Sequence, residues 1–349
     1  MFKSINYINF ILLSCIFFNN IIAMETEVSN IQNISELPPE IKLEVIKNIL
    51  EKEIKDTVKD NNFIWYNLIK NVYQQAAKLR LIDKDFNALV QAELYKIFFG
   101  LLKSHNIDIN NLDKNGDTAL IAAVQLGRED LVKLLIRLGL SVNRKNKRNE
   151  TALMYAAGKG LENIVRLLLE HRTSIDDKDD YGTTALMKAS FNGHIDIVKL
   201  LIENKANVNA RGDHGRTTLM DASEQGHYEI VKLLIDQGAN VNAHDVWFNT
   251  ALMEASFHGE TNIVKLLIDQ GANVNAKDDQ GRTALMKAID QEEFDENIEN
   301  TVKLLLDYGA DVDIRDNNHH ESALDIAERL NHKAIVKLIK EHKTKQINK

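Results

Sequence analysis

The fold of this chain is decided by residues Thr184–Asp213, which read TALMKASFNGHIDIVKLLIENKANVNARGD. The stretch recurs on both sides of itself, and each copy is marked by a leucine that follows Thr-Ala or Thr-Thr. This leucine stands at Leu120, Leu153, Leu186, Leu219, Leu252 and Leu285, always 33 residues apart. A fixed period of roughly 20 to 50 residues indicates a solenoid, in which each unit buries its apolar face against its neighbours.

Each unit carries the pattern of two helices with different side chains. Small residues such as Ala189 and Ser190 lie in the first helix, and a wide apolar face that includes Ile197, Val198 and Leu200 lies in the second. Small residues allow the first helices to approach one another closely, while the bulky second helices fill an outer layer. Such a pair cannot bury its apolar face alone, so we expect stability to come from stacking.

A turn between units carries glycine in most copies, as at Gly182 and Gly215. A turn residue with positive φ explains this preference, because glycine adopts that conformation without steric cost. Two units have Asn149 and Phe248 in the same place. Asparagine tolerates the left-handed region, whereas phenylalanine adopts it only with strain.

These residues together resemble the ankyrin repeat, with its Thr-x-Leu start, central glycine, Ile-Val-x-Leu-Leu second helix and Ala-x-Val-Asn end. The resemblance covers about two-thirds of the chain. It implies an all-α repeat solenoid of stacked helix-turn-helix units with projecting β-hairpin loops, preceded by a small helical region. The expected repeats are 113–145, 146–178, 179–211, 212–244, 245–277, 278–315 and 316–349.

Two repeats near the carboxyl end depart from the pattern. The sixth holds extra residues between Ala288 and Val302, which are rich in acids and amides and form either a tolerated surface loop or a binding excursion. The last repeat has Asp325 and Glu328 where inner residues are usually apolar or small, and a lysine-rich tail follows. We expect the last repeat to be the C-terminal cap, since a terminal unit needs a polar outer face.

Residues 1–23 have the layout of a secretory signal peptide, with a basic start at Lys3, an apolar middle over 8–18 and Ala23 before an acidic stretch. The apolar middle is shorter than the roughly 20 residues of a membrane span. A retained membrane anchor and a buried N-terminal helix remain alternatives. Export predicts a secreted, periplasmic or extracellular protein, with delivery into a host cell as one route. Cys15 would leave with the signal, which suits an oxidising compartment.

Residues 24–93 lack the repeat period and are predicted to be helical. They resemble an F-box in two pieces, although residues 51–77 insert more chain than that family usually carries. The matching residues are Leu37, Pro38, Glu40, Ile41, Ile46 and Leu50 in the first piece and Ile82, Lys84, Phe86 and Leu89 in the second. The F-box resemblance implies a Skp-type ubiquitin-ligase adaptor as partner and a substrate-receptor role, as in secreted effectors of intracellular bacteria. The alternative is a plain helical cap.

Residues 94–112 imitate the second helix and closing turn of a repeat. We interpret them as a degenerate half-repeat that covers the apolar flank of the first full repeat.

Catalytic chemistry is not expected from this sequence. It contains no P-loop, nucleophile elbow, zinc-protease helix or paired-cysteine motif, and residues 24–112 lack clustered acid, base and nucleophile candidates. The adjacent His319 and His320 lack supporting ligands for a metal. We interpret His194 and His227, which follow repeat glycines, as structural. The formal net charge of -8 does not favour nucleic acid as a partner. We therefore expect a monomeric protein without a cofactor, with a protein as its partner.

Ankyrin-type arrays generally bind proteins through the hairpin tips and the exposed face of the first helices. Aromatic residues are scarce in the whole chain, at 6%, yet several collect at these positions. Aromatic side chains flanked by charge are typical hot spots of protein interfaces. The alternative for Phe191 and Phe257 is packing between adjacent helices. The predicted partner-binding residues are Tyr155, Tyr181, Lys188, Phe191, His214, Asp221, Trp247, Phe248, Glu254, Phe257 and His258.

Overall fold

The computed structural model describes residues 111–113, 115–137, 139–291 and 295–347. All of them belong to Asn110–Lys349, the second of two compact units into which the chain divides. The predicted signal peptide, the F-box-like region and the capping half-repeat up to residue 110 lie outside the described residues.

Fourteen α-helices in the described residues form seven consecutive pairs. The first helices of the pairs are short, with six or seven residues. They are α1 Ala119–Gln125, α3 Ala152–Gly158, α5 Ala185–Phe191, α7 Thr218–Glu224, α9 Ala251–Phe257, α11 Ala284–Ile289 and α13 Ala323–Arg329. The second helices are α2 Glu129–Arg137, α4 Glu162–Glu170, α6 Ile195–Glu203, α8 Tyr228–Asp236, α10 Thr261–Asp269, α12 Glu296–Asp307 and α14 Lys333–Ile347.

The helices form two layers, because first helices contact the first helices of neighbouring repeats and second helices contact second helices. Ala185, Ala189 and Ser190 of α5 are buried, as are Val198 and Leu201 of α6. Each fully buried Leu or Val side chain stabilises the fold by roughly 1.5–3 kcal/mol. The predicted division between a closely packed first-helix layer and a bulkier second layer is therefore confirmed.

A threonine caps the amino end of each of the first six first helices. In α5, for example, the Thr184 hydroxyl accepts a hydrogen bond from the Met187 N–H over 3.3 Å. Such a cap contributes about 1 kcal/mol. This matters because isolated helices of this length are unstable in water. The capping threonines are Thr118, Thr151, Thr184, Thr217, Thr250 and Thr283.

The projecting hairpin loops contain single antiparallel bridges rather than strands in the described part of the chain. These bridges join Arg211 to Thr217, His244 to Thr250 and Arg315 to Ser322. Successive loop tips are joined to each other, because a backbone N–H of one tip donates to a carbonyl of the preceding tip over 2.7–3.1 Å. The donors are Lys147, Asp180, Asp213, Val246, Asp279 and Asn317. The tips therefore form a continuous hydrogen-bonded row.

Histidines join consecutive repeats in the way expected of structural residues. The Nε2 atom of His194 lies 3.2 Å from the Gly158 carbonyl, and that of His227 lies 3.1 Å from the Phe191 carbonyl. His332 makes the equivalent contact with Gln291 over 3.0 Å. His194 and His227 thus each satisfy the carbonyl of the last residue of a first helix, which would otherwise lack an intrahelical partner, whereas the Gln291 carbonyl lies just beyond α11.

The insertion of the sixth repeat, for which the sequence left a surface loop or a binding excursion open, is partly helical. Helix α12 has 12 residues, whereas α10 has nine. Asp295 causes the early start, because its carboxylate accepts the Ile298 N–H over 2.9 Å as an N-cap. Residues 292–294 lie outside the described part.

The predicted C-terminal cap has a physical reason for its polar residues. Ser322 and Asp325 form a capping box at the start of α13, with Asp325 accepting from both the N–H and the hydroxyl of Ser322. Asp325 also pairs with Arg315 over 2.9 Å.

Across the residues that the structure describes, we find no helix with the length and apolar character that crossing a membrane requires.

Candidate protein-binding surface

Trp247 and its neighbours form an apolar hairpin tip in the fifth repeat. Val246, Trp247 and Phe248 are 56%, 43% and 51% exposed. Phe248 has a φ of 61° and Asn149 a φ of 57°, so both residues adopt the left-handed conformation expected for the glycine position. For a residue other than glycine, this conformation costs roughly 1–2 kcal/mol. Apolar exposure and backbone strain therefore coincide at one tip.

Histidines hold two of these aromatic rings in place. The ring of His214, from the preceding tip, stacks on Trp247 with centroids 4.8 Å apart, and His244 stacks on Phe248 at 4.7 Å. The hydrogen-bonded row of tips brings His214 alongside Trp247, so this exposed ring has a packing partner within the protein. Stacking reduces the freedom of the rings, which lowers the entropy lost on binding.

Phe191 and Phe257 end two first helices and are 44% and 39% exposed. Exposure of this size argues against the alternative that they serve only as filler between helices. Phe257 meets the edge of the exposed His258 ring at 5.1 Å. Tyr181, on the tip of the third repeat, is 67% exposed. These rings expose apolar area at positions that the sequence identified.

Arg216 gathers three carboxylates on the face of the first helices. Its Nε lies 3.1 Å from Asp221 and its Nη1 lies 3.1 Å from Glu254, while its Nη2 pairs with Glu224. Burial raises the pKa of Asp221, Arg216 opposes this, and Glu224 and Glu254 raise it further, to about 6. We call Arg216, Asp221, Glu224 and Glu254 the Arg216 cluster. One arginine faces three carboxylates there, so it does not neutralise all of their negative charge.

A second ion cluster joins the second and third repeats. Lys188 pairs with Glu150 over 3.0 Å and with the buried Asp179 over 3.1 Å. Tyr155 donates its hydroxyl to Glu150 over 2.9 Å, and burial together with this hydrogen bond raises the pKa of Tyr155 to about 12. Burial would raise the pKa of Glu150, but bonds from Asn146, Lys188 and Tyr155 hold it below its ordinary value.

The structure brings together several predicted site residues. Asp221 and Glu254 meet at Arg216, Tyr155 and Lys188 meet at Glu150, and His214 meets Trp247. Tyr181 and Phe191 stand apart as exposed side chains.

The sequence interpretation missed Glu150 and Arg216. Both stand one residue before a capping threonine, at the same position of the repeat. That shared position next to the helix start was the signal that could have found them.

Clustered metal-ligating side chains are not found in the described parts of the chain. No group of three or more His, Cys, Asp or Glu side chains there is arranged to hold a metal ion. Arg282, Asp290, Glu321 and Arg329 line a depression near the carboxyl end, where Arg329 bonds both carboxylates. These charges satisfy one another.

Stacked helix pairs, a row of hairpin tips and an exposed first-helix face define a helical repeat protein. A family model described as "Ankyrin repeats (3 copies)" matches residues 86–179, 172–245 and 252–349. The chain belongs to the ankyrin-repeat family. Its repeats indicate a scaffold for protein–protein interaction, a fold that is typically non-enzymatic.

Solved structures are similar to this chain as well. The human ASB11 ankyrin repeat domain, known from a crystal structure, is 25% identical, with a TM-score of 0.55. The match covers 62% of this chain and 98% of that domain. No curated protein sequence matches the chain.

Proposed function

We propose that this protein is a non-enzymatic scaffold that binds a partner protein through the first-helix face and hairpin tips of its third to fifth repeats. One observation carries the proposal. Of the eight large apolar side chains exposed in the described residues, six lie on these tips or first helices: Tyr181, Phe191, Val246, Trp247, Phe248 and Phe257.

The distribution of the remaining two supports the same surface. Tyr228 begins α8 and Tyr308 follows α12, so both lie at ends of second helices, and Tyr308 hydrogen-bonds Asp269 over 2.7 Å. An exposed apolar patch rimmed by charge is typical of protein-binding sites. The stacks on Trp247 and Phe248 add preorganisation, and the strain at Phe248 is of the kind that persists at functional positions.

Affinity capture with the full chain tests this proposal. Trp247→Ala combined with Phe257→Ala should weaken binding of the captured partner by at least about tenfold, as expected for hot-spot aromatics. Tyr228→Ala is the matched control, since it removes a ring of similar exposure, 38%, from a second helix. Equal loss in both variants, with unchanged helicity, would refute the proposed surface.

A second candidate is a ubiquitin-ligase substrate receptor that uses residues 24–93 for a Skp-type adaptor. The F-box-like residues Leu37–Leu50 support it, together with the repeats as a substrate-binding part. The ankyrin match begins at residue 86 and so overlaps the second F-box-like piece, which weighs against it. A pull-down with the purified adaptor decides: deletion of residues 37–50 should abolish binding, and binding that survives the deletion would exclude this role.

We also propose that the protein is exported by the signal peptide at residues 1–23. Mass spectrometry of the amino terminus of the mature protein tests this. A chain that begins after Ala23 is expected, and an intact Met1 would contradict export by cleavage.

A further inference from the structure

Two exposed phenylalanines flank a glutamate on the first-helix face. Phe191, Glu224 and Phe257 occupy the same position in three consecutive repeats, at the ends of α5, α7 and α9. These helices contact each other in sequence, and packed helices lie roughly 8–10 Å apart. The three side chains therefore form a row across the face, the Phe–Glu–Phe row, with a carboxylate between two rings.

The middle of this row has excess negative charge. The Arg216 cluster contains three carboxylates and one guanidinium, and Arg216 contacts one oxygen of each carboxylate. Glu224 Oε1 accepts only a 3.3 Å bond from the exposed Gln225. The second oxygens of Asp221 and Glu254 remain outside the bonds to Arg216. Acceptor atoms are therefore present for a further cation.

The neighbouring lysines do not cancel this charge. Lys188 and Lys287 occupy the positions equivalent to Asp221 and Glu254 in the flanking repeats. Lys188 pairs with Glu150 and Asp179, while Lys287 pairs with Asp278 over 3.1 Å and bonds Asn249 over 2.7 Å. Lys188 is thus engaged by two carboxylates and Lys287 by Asp278, which also pairs with Arg282, so the excess at the Arg216 cluster persists.

We propose that the Phe–Glu–Phe row binds an arginine side chain of a partner segment. This inference rests on the proposed protein-binding function and adds the chemistry of the partner. A guanidinium is planar, so it bonds the oxygens of Glu224 and Glu254 that Arg216 does not contact while stacking on an exposed ring such as Phe257. A lysine ammonium pairs with a carboxylate but lacks the planar surface. The excess negative charge disfavours acidic or phosphorylated segments.

Peptide binding to the full chain at low salt tests the inference by fluorescence anisotropy. The probes are three labelled nonapeptides that alternate glycine with arginine, lysine or citrulline. The arginine peptide should bind at least about tenfold more tightly than the citrulline peptide, since charge-assisted hydrogen bonds contribute most to the site. It should also bind more tightly than the lysine peptide, and Phe257→Ala should remove that second preference.

A charge-matched pair of variants separates this site from general attraction to an acidic protein. Glu224→Gln with Glu254→Gln should weaken arginine-peptide binding by about tenfold. Glu203→Gln with Glu229→Gln makes the same charge change at exposed positions of α6 and α8, and should have little effect. Equal losses in the two double variants, or wild-type binding that does not distinguish arginine from citrulline, would overturn the inference.

The outcome also distinguishes this inference from the proposed function. If partner capture depends on Trp247 and Phe257 but arginine-peptide binding does not depend on Glu224 and Glu254, the scaffold function stands and the arginine site is refuted. If capture is indifferent to the aromatic residues, the binding surface itself is refuted.

Discussion

Asp221→Asn should stabilise the protein in a pH-dependent way. Burial and two neighbouring carboxylates raise the pKa of Asp221 from 3.8 to about 6 in the folded state. A folded pKa above the unfolded one means that the native state holds the proton more tightly. The stability contributed by protonated Asp221 is present below pH 4 and is lost as the pH rises through about 6.

The size of the effect follows from the difference between the two pKa values. Each pKa unit corresponds to about 1.4 kcal/mol, so ionised Asp221 costs at most about 3 kcal/mol at pH 7. Asparagine avoids this cost because it does not titrate. Urea unfolding should therefore show that the free-energy advantage of Asp221→Asn over wild type grows between pH 4 and pH 7, while Arg216 keeps Glu224 and Glu254 as partners.

Asp325→Asn is a control that should change the free energy of unfolding in the opposite direction. The pKa of Asp325 is lowered, first by the backbone hydrogen bond from Ser322. The stability contributed by its carboxylate is present above pH 4 and is lost as the pH falls. At pH 7 the free energy of unfolding should therefore be larger for wild type than for Asp325→Asn. An Asp221→Asn advantage that stays constant with pH would refute the reasoning about burial and like charges.

Three further substitutions test packing and strain. Leu201→Ala should lower the free energy of unfolding by about 2–5 kcal/mol, because Leu201 is fully buried, and a loss below about 1 kcal/mol in urea unfolding would contradict the stacking account. Ser223→Ala should raise it by about 1 kcal/mol in the same assay, since the buried Ser223 hydroxyl has no hydrogen-bond partner and Ala157 fills the equivalent position in another repeat. Phe248→Gly should weaken partner binding but leave the melting temperature unchanged or higher, because glycine adopts the positive φ without strain. A lower melting temperature would show that stacking on His244 outweighs the strain.

The period of the sequence predicts most of the fold, because each position of the repeat occurs several times along the chain. Alignment of Phe248 with Gly182 was enough to predict a left-handed phenylalanine, and the structure confirms it. The same period places a threonine before each of the first six first helices, but the capping hydrogen bonds were recognised only in the structure. The length of α12 could not be predicted, because it depends on whether Asp295 caps a helix or continues a loop.

The binding surface was only partly predictable, since contacts between repeats depend on side-chain conformation. Arg216 reaches Glu254 across 38 residues of chain, and nothing in the repeat pattern specifies that reach. The contact of His214 with Trp247 could have been predicted from the sequence, because the two residues occupy the same position in consecutive tips. Residues at the same position of consecutive repeats can be predicted to lie close together, whereas the geometry of an ion pair depends on the three-dimensional structure.

Hydrogen exchange of the full chain with and without its captured partner tests the central claim most directly. The partner should protect residues 181–191, 214–224 and 246–258, which include the tips and first helices of the third to fifth repeats. Amides of α6, α8 and α10, in the second-helix layer, should change little. Protection confined to these second helices, with none at the tips, would contradict the account.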